Sequence, residues 1–485
     1  MGGRKLKAGF EPTEVGWRVG QCWEPRAGDL WCPYDMCAGI IGPQGSGKSL
    51  DLLFPALLGA PGAALVTLTK PDDLLLVYQA RKAPRFPGGP ERPALVCDPF
   101  GLVEGLDELV WDPVAGCADP MVAEKRAKAF TAGTIKANSG GGSDAAARFY
   151  ASESAKVLMA YLHAAALIGA NLAKVLPWVA NPLGANHPFD ILKAHPDAAP
   201  MWFNLLEGAL HGDERTVSNT ITTLQQAMSL FMQPSILNRC VPSPGKQATD
   251  IARIIREGGT FFMLGREDPY QSASPLMTAL TEHILDTALE VGNQSPYRKL
   301  CPPMLACLDE LPSTAPIPTL RTRMANERAL GISFLWAAQT RRQLSAIFGD
   351  QEAKSIWALS NVLVIFGGSK DAEYNKEVSD LVGSVRVART SKQLKLEGGV
   401  TATAEDIPIL RPEEIRQIPT RQALVLAGNA SPMLAKLQRC VEGNTGKELL
   451  AQQEALREQL HSRQAEKNDQ FGLQVVEKAR KVGLI

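Results

Sequence analysis

The sequence predicts an α/β fold: a central, mostly parallel sheet carrying a phosphate-binding loop and interrupted by an inserted all-α domain. Three observations predict it. Short apolar, β-branched runs recur along the chain, a long stretch in the middle reads only as helix, and one glycine-rich loop lies between an apolar strand and an apolar helix.

The runs are AALVTLT (63–69), ALVCD (94–98), GTFFML (259–264), MLACLD (304–309), ISFLWAAQ (332–339), NVLVIFGG (361–368) and ALVLAG (423–428). Most are apolar without alternation, the pattern of strands covered on both faces, and the stretches between them are long enough for crossover helices. Between residues 118 and 245 the pattern turns helical, with AAARFYASESAKVLMAYLHAAALIGA, PMWFNLLEGALH and TVSNTITTLQQAMSLFM. The predicted organisation is an N-terminal segment (1–34), a discontinuous nucleotide-binding domain (35–117 and 246–440), the helical insertion (118–245) and a tail (441–485). The insertion contains the glycine-rich loop NSGGGSD (138–144), read as a surface connection. The tail is charged and rich in helix formers, so a solvated helix or a partly disordered segment is expected. Leu449, Leu456 and Leu460 could share one helix face.

Composition narrows the class. The 485 residues exceed one ordinary core, and 45% hydrophobic with 21% charged residues excludes global disorder. Lys plus Arg equals Asp plus Glu at 51 each, so no overall field steers the chain to nucleic acid or anionic lipid, and any polyanion contact must be local. Nine cysteines, with Cys32–Cys37 and Cys301–Cys307 the closest pairs, show no two-residue clasp spacing; reduced, mostly buried thiols are expected. The start has no apolar core for a signal peptide. The uncharged stretch Leu52–Thr69 approaches membrane-span length, but Pro55 and GAPG (59–62) divide it into helix, turn and strand.

GPQGSGKS (42–49) fits the phosphate-loop pattern once in the chain. Gly42, Gly45 and Gly47 give the backbone freedom to aim successive N–H groups at a polyphosphate such as ATP, backed by the following helix N-terminus. Lys48 would reach the β- and γ-phosphates, and Ser49 would hold Mg2+ through its hydroxyl. The alternative is a chance match in a glycine-rich turn. The strand MLACL leads into Asp309 and Glu310. Asp309 would join the Mg2+ shell and Glu310 would orient or deprotonate the attacking water; the pair could instead cap a helix. TKPD (69–72) and DPFG (98–101) mimic GTPase motifs in the wrong order, so Lys70, Asp72 and Asp98 are read as strand-end residues near the nucleotide without guanine specificity. The strand 332–339 finishes at Gln339, at the edge where open parallel sheets hold ligands, where it can sense the γ-phosphate or the water. Arg328 precedes that strand at the opposite edge, so a catalytic Arg328 would serve a neighbour's nucleotide; a surface arginine in a turn is the other reading.

These motifs resemble the TraG/TraD-like coupling ATPases of conjugation and type IV secretion. The likeness rests on GPQGSGKS, on the block from LDELPSTAPIPTLRTRMANERALGISFLWAAQTRRQL to SDLVG, and on ILRPEEIRQIPTRQALVLAGNASPMLAK, covering about residues 35–440. The resemblance implies a RecA-like ATPase motor, an all-α domain that recognises relaxosome or secreted protein cargo, contact with channel components, and hexamers that pump DNA, single- or double-stranded. It places Lys48 and Ser49 on phosphate and Mg2+, Asp309 and Glu310 as the acidic pair, Arg328 as the finger and Gln339 as the sensor. Family members usually start with transmembrane helices, whereas here the phosphate loop starts at residue 42; the expectation is residence at the cytoplasmic face of the inner membrane, with the anchor on a partner or removed. An FtsK- or HerA-like duplex DNA translocase and an ATP-gated docking adaptor are the competing readings.

Overall fold

A computed structural model describes residues 11–135 except 25 and 27, then 143–265, 272–392 and 400–481. Most of the NSGGGSD loop lies outside the described residues.

Thirteen strands are described: β1 (Gly16–Cys22), β2 (Asp29–Pro33), β3 (Ala38–Ile41), β4 (Ala64–Leu68), β5 (Ala94–Cys97), β6 (Thr260–Leu264), β7 (Met304–Leu308), β8 (Ile332–Ala338), β9 (Val362–Phe366), β10 (Ser384–Lys392), β11 (Val400–Pro408), β12 (Gln422–Ala427) and β13 (Met433–Lys436). Eleven form one sheet in the order β2-β1-β13-β12-β9-β3-β8-β7-β4-β6-β5. From β9 to β5 every neighbouring pair is parallel. From β9 to β2 every pair is antiparallel. β10 and β11 form a separate antiparallel ribbon.

The apolar continuity of the parallel strands follows from burial on both faces. Phe261 and Met263 of β6, with Phe334 and Trp336 of β8, enter one core; Phe262 and Leu264, with Leu335 and Ala337, enter the other. Gly39 of β3 is needed for close approach, because a Cβ there would lie 2.3 Å from the Trp336 ring. The indole N–H of Trp336 is satisfied by the Ser360 hydroxyl at 3.0 Å.

One face carries the helices Phe54–Gly59 and Pro71–Lys82; the other carries Ser274–Gln294 and, beyond it, the helices from Pro120–Ala132 to Pro234–Cys240. The long helix Ser143–Leu167 is the axis of this part, packing against Pro120–Ala132, Leu172–Ala180, Trp202–Leu210 and Glu214–Met228. Its His163 is a satisfied core histidine: Nε2 accepts from the Ala199 N–H at 3.0 Å while Nδ1 meets the Cys117 carbonyl at 2.9 Å. The apolar core runs without a break from the sheet face into these helices.

Two sequence expectations change. The N-terminal segment supplies β1 and β2 to the main sheet, with Trp17 buried beneath it. The tail forms the helix Gly443–Lys481, which docks along Pro71–Lys82 through buried Leu449 and Leu456, with Arg457 on Asp72 at 3.1 Å. An amphipathic stripe too sparse to read as a core face in sequence is completed by the second helix. All nine cysteines are free: seven are buried, Cys440 is half-buried and Cys301 is exposed. No described helix is long and apolar enough to cross a membrane.

Candidate nucleotide site

β3 occupies the sheet between β9 and β8, and the chain leaves its carboxyl end into Gly42–Ser49. Gly45 and Gly47 hold φ of 78° and 101°, the left-handed region that favours glycine. Gly42 is required for space instead: a Cβ there would lie 2.7 Å from Ser46 Oγ and 2.9 Å from Phe366 Cβ. The turn that follows, Ser49–Leu53, is wound as π-helix before the α-helix Phe54–Gly59, with Asp51 N–H donating to the Gly47 carbonyl at 2.8 Å.

Lys48 folds back over its loop and donates to the carbonyls of Gly42 at 2.7 Å and Pro43 at 3.2 Å. Its ammonium lies 3.9 Å from Glu310 Oε1. Burial pushes its pKa down, against the pull of the Glu310 and Asp309 carboxylates.

β7 delivers the acidic pair. Asp309 is buried; Oδ2 accepts from Ser49 Oγ at 2.8 Å, Oδ1 from the Glu310 N–H at 3.1 Å, and its carbonyl from Thr67 Oγ1 of β4 at 2.8 Å. Burial pushes its carboxyl up, opposed by the Ser49 hydrogen bond and by Lys48. Glu310 takes φ 49° and ψ 46°, a left-handed conformation that costs a non-glycine residue about 1–2 kcal/mol. That backbone turn sends its carboxylate to Gln339 at the end of β8, whose Nε2 donates to Glu310 Oε1 at 3.2 Å.

These residues line one cavity of about 410 Å3, together with Gln44 to Leu50, Thr69, Lys70, Asp73 and Arg439. Sequence residues some 260 positions apart are thus brought together: Gly45, Gly47, Lys48, Ser49, Asp309, Glu310 and Gln339 share the cavity, with Gly42 shaping it from beneath. Ser49 and Asp309, a hydroxyl bonded to a buried carboxylate, are a hard-oxygen pair of the kind Mg2+ prefers.

Other readings are corrected. Asp72 points to Arg457 on the tail helix and lies outside the cavity; Asp73, one position on, lines it. Burial pushes the Asp73 carboxyl up, against Lys70. Asp98 ends the edge strand β5, five strands from β3, and accepts from the Val103 N–H at 2.8 Å to close its own turn. Arg328 sits in the turn Glu327–Leu330 at the amino end of β8, with Gln339 beyond the carboxyl end. It donates to Asn361 Oδ1 at 3.0 Å, which also accepts the Cys37 N–H at 3.1 Å. The strand between them spans about 20 Å, so Arg328 does not meet its own chain's cavity. Arg439 and Asp51 escaped the sequence reading: Arg439 follows a four-residue strand with no local motif, and its position in the cavity is purely tertiary.

Residues 303–420 match the family model described as the TraM recognition site of TraD and TraG. No single curated protein sequence matches the chain. Among solved structures, the bacterial conjugative coupling protein TrwBdeltaN70 in its trigonal form with sulphate superposes with a TM-score of 0.61 at 19% identity, over 90% of this chain and 96% of that one. The unbound monoclinic form gives 0.60 at 19%, over 84% and 87%. The plasmid coupling protein TrwB with ADP and Mg2+ gives 0.58 at 19%, over 84% and 86%. The chain therefore has the RecA-like phosphate-loop fold of TrwB and, in both fold and C-terminal sequence block, is similar to the TraG/TraD-like conjugative coupling proteins.

Proposed function

We propose that this chain is an ATP-hydrolysing coupling protein that recruits DNA or nucleoprotein cargo and drives it toward a type IV secretion channel. The observation that carries the reading is the convergence of Lys48, Ser49, Asp309, Glu310 and Gln339 on one cavity at the carboxyl edge of the parallel strands. TrwB, whose fold the chain shares, has been seen with ADP and Mg2+ and with analogues of both ATP and GTP.

In the proposed cycle, Lys48 leaves the carbonyls of Gly42 and Pro43 for the terminal phosphates, and the loop N–H groups exposed around Gly45 and Gly47 take the oxygens between. Ser49 and Asp309 would hold Mg2+, which supplies charge neutralisation on the phosphates when bound. Glu310 takes the proton of the attacking water, and Gln339, already bonded to that carboxylate, fixes the water's direction. Arg328, remote from its own cavity, would complete the site of an adjacent copy in a hexamer. The helical part spanning 118–245 would receive cargo, and the surface within 303–420 a TraM-like relaxosome protein.

The test is an ATPase assay with Mg2+, without DNA and with single- or double-stranded DNA, at two salt concentrations. Wild type should turn over, with stimulation by DNA that weakens as salt rises. Glu310→Gln should retain nucleotide binding while turnover falls about 10²- to 10⁴-fold. Unchanged turnover in Glu310→Gln removes the assigned base.

A further inference from the structure

The nucleotide reading accounts for Lys48, Ser49, Asp309, Glu310 and Gln339 but leaves, among the other charged groups at the site, the pair Asp51 and Arg439 without a task. Asp51 lies directly beneath the phosphate loop: its side chain is 1% exposed, and its Oδ2 comes within 2.3 Å of where a Cβ on Gly47 would stand. A carboxylate there opposes a polyphosphate. Arg439 answers it, donating from Nε to Asp51 Oδ1 at 3.1 Å. The adjoining Cys440 N–H donates to the Leu50 carbonyl at 2.9 Å, so the segment after β13 is pinned to the loop helix at two consecutive residues. Arg439 also lines the cavity and is more than a third exposed. Its Nη1 and Nη2 groups make no hydrogen bond among the described residues, and a guanidinium keeps four N–H donors there.

Sheet order fixes which end of a nucleotide Arg439 would meet. Glu310 and Gln339 come from β7 and β8, on one flank of β3, and they define the terminal-phosphate end through Lys48. Arg439 comes from β13, reached through β9 and β12 on the other flank. On the nucleotide reading, the opposite end of the same cavity would receive the α-phosphate and the nucleoside.

We propose that Arg439, braced by Asp51, is a second cationic contact of the nucleotide, meeting its α-phosphate. The inference rests on the nucleotide reading of the cavity. Asp51 holds the guanidinium by one edge and leaves the other edge for a phosphate oxygen, as the planar fork permits and an ammonium does not. Lys48 serves the terminal phosphates and so separates triphosphate from diphosphate; Arg439 serves what ATP, ADP and AMP share.

The test compares binding of ATP, ADP, AMP and adenosine by isothermal titration, with kcat and KM for ATP, in wild type, Arg439→Ala, Arg439→Lys and the double variant Asp51→Ala/Arg439→Ala. Arg439→Ala should weaken ATP, ADP and AMP alike by about ten- to hundredfold, the size of one lost charge-assisted contact. It should leave adenosine unchanged and raise KM with kcat nearly constant. Arg439→Lys should recover part of the affinity. Equal loss for adenosine would show that Arg439 merely holds the site in shape, and wild-type affinity for ADP in the double variant would show that it acts only by neutralising Asp51; either result would overturn the proposal. Lys48→Ala is the separate control: if it binds ATP as wild type does, the nucleotide reading fails, whatever Arg439 does.

Discussion

Arg81 is fully buried, and no carboxylate lies within ion-pair distance of it among the described residues. It is held by neutral acceptors alone: Nε donates to Thr260 Oγ1 at 2.8 Å, Nη1 to the carbonyls of Ala60 at 2.7 Å and Leu57 at 3.2 Å, and Nη2 to the Gly62 carbonyl at 2.9 Å. Burial, reinforced by Arg92, pushes its pKa down to about 9, still above neutral, so the cation persists at pH 7. The residue staples the end of the phosphate-loop helix to Pro71–Lys82 and β6. In Arg81→Met the stem volume is kept and the fork is lost. The Leu57 carbonyl retains the Ala60 N–H, whereas the Ala60 and Gly62 carbonyls have no other described partner. Two orphaned carbonyls at about 1–3 kcal/mol each, less the relief of a buried charge, give a loss of about 2–5 kcal/mol. Urea unfolding followed by tryptophan fluorescence and by far-UV circular dichroism should show the midpoint falling in both signals. A loss below about 1 kcal/mol would refute the accounting, because it would mean that water or a small shift satisfies those carbonyls.

Two further outcomes are expected. Glu327, paired with Arg323 at 2.8 Å, is pushed up to about 7 by burial against the pull of that arginine, with Asp286 and Glu282 adding to the rise. A carboxyl whose pKa is raised on folding stabilises most below its unfolded value, so thermal stability should decline from about pH 5 to pH 8 by up to about 3 kcal/mol. Glu327→Gln should flatten that slope, and an unchanged slope would exclude Glu327 as its source. For Arg328, mixing Arg328→Ala subunits with wild type should lower ATPase activity more steeply than their fraction. A strictly proportional decline would count against action on a neighbour.

What could be read from sequence was what burial on two faces writes into it. β4 to β9 are short unbroken apolar runs because Leu65 and Val66, or Phe261 and Phe262, enter opposite cores. Asp309 and Gln339 were legible because each follows such a run directly, with Glu310 one residue later, where parallel sheets place ligand-facing groups. β1, β2 and β13 were not. β1 is broken by Gly16 and Gly20, both pressed against neighbouring backbone, and its register shifts between Arg18 and Gly20. β13 is four residues long. In the β10–β11 ribbon, Val385 and Val387 stand exposed, so no inward face marks the pattern. The left-handed backbone of Glu310 leaves no trace in residue type, and the meeting of Asp51 with Arg439 depends on where β13 pairs with β12 and β1.

The stretch that carries Arg439 past the phosphate loop continues within a few residues into Gly443–Lys481, a rod of 39 residues and so about 58 Å. Its root is therefore coupled to the cleft by the Asp51 ion pair and the Leu50 hydrogen bond, while its flank rests on Pro71–Lys82, whose first turn also faces the cleft. The helix is held along that flank as far as Arg463, which donates to the Gly105 carbonyl at 3.2 Å, so an adjustment at its root would be passed to Pro71–Lys82 and to the turn after β5 rather than to a free end.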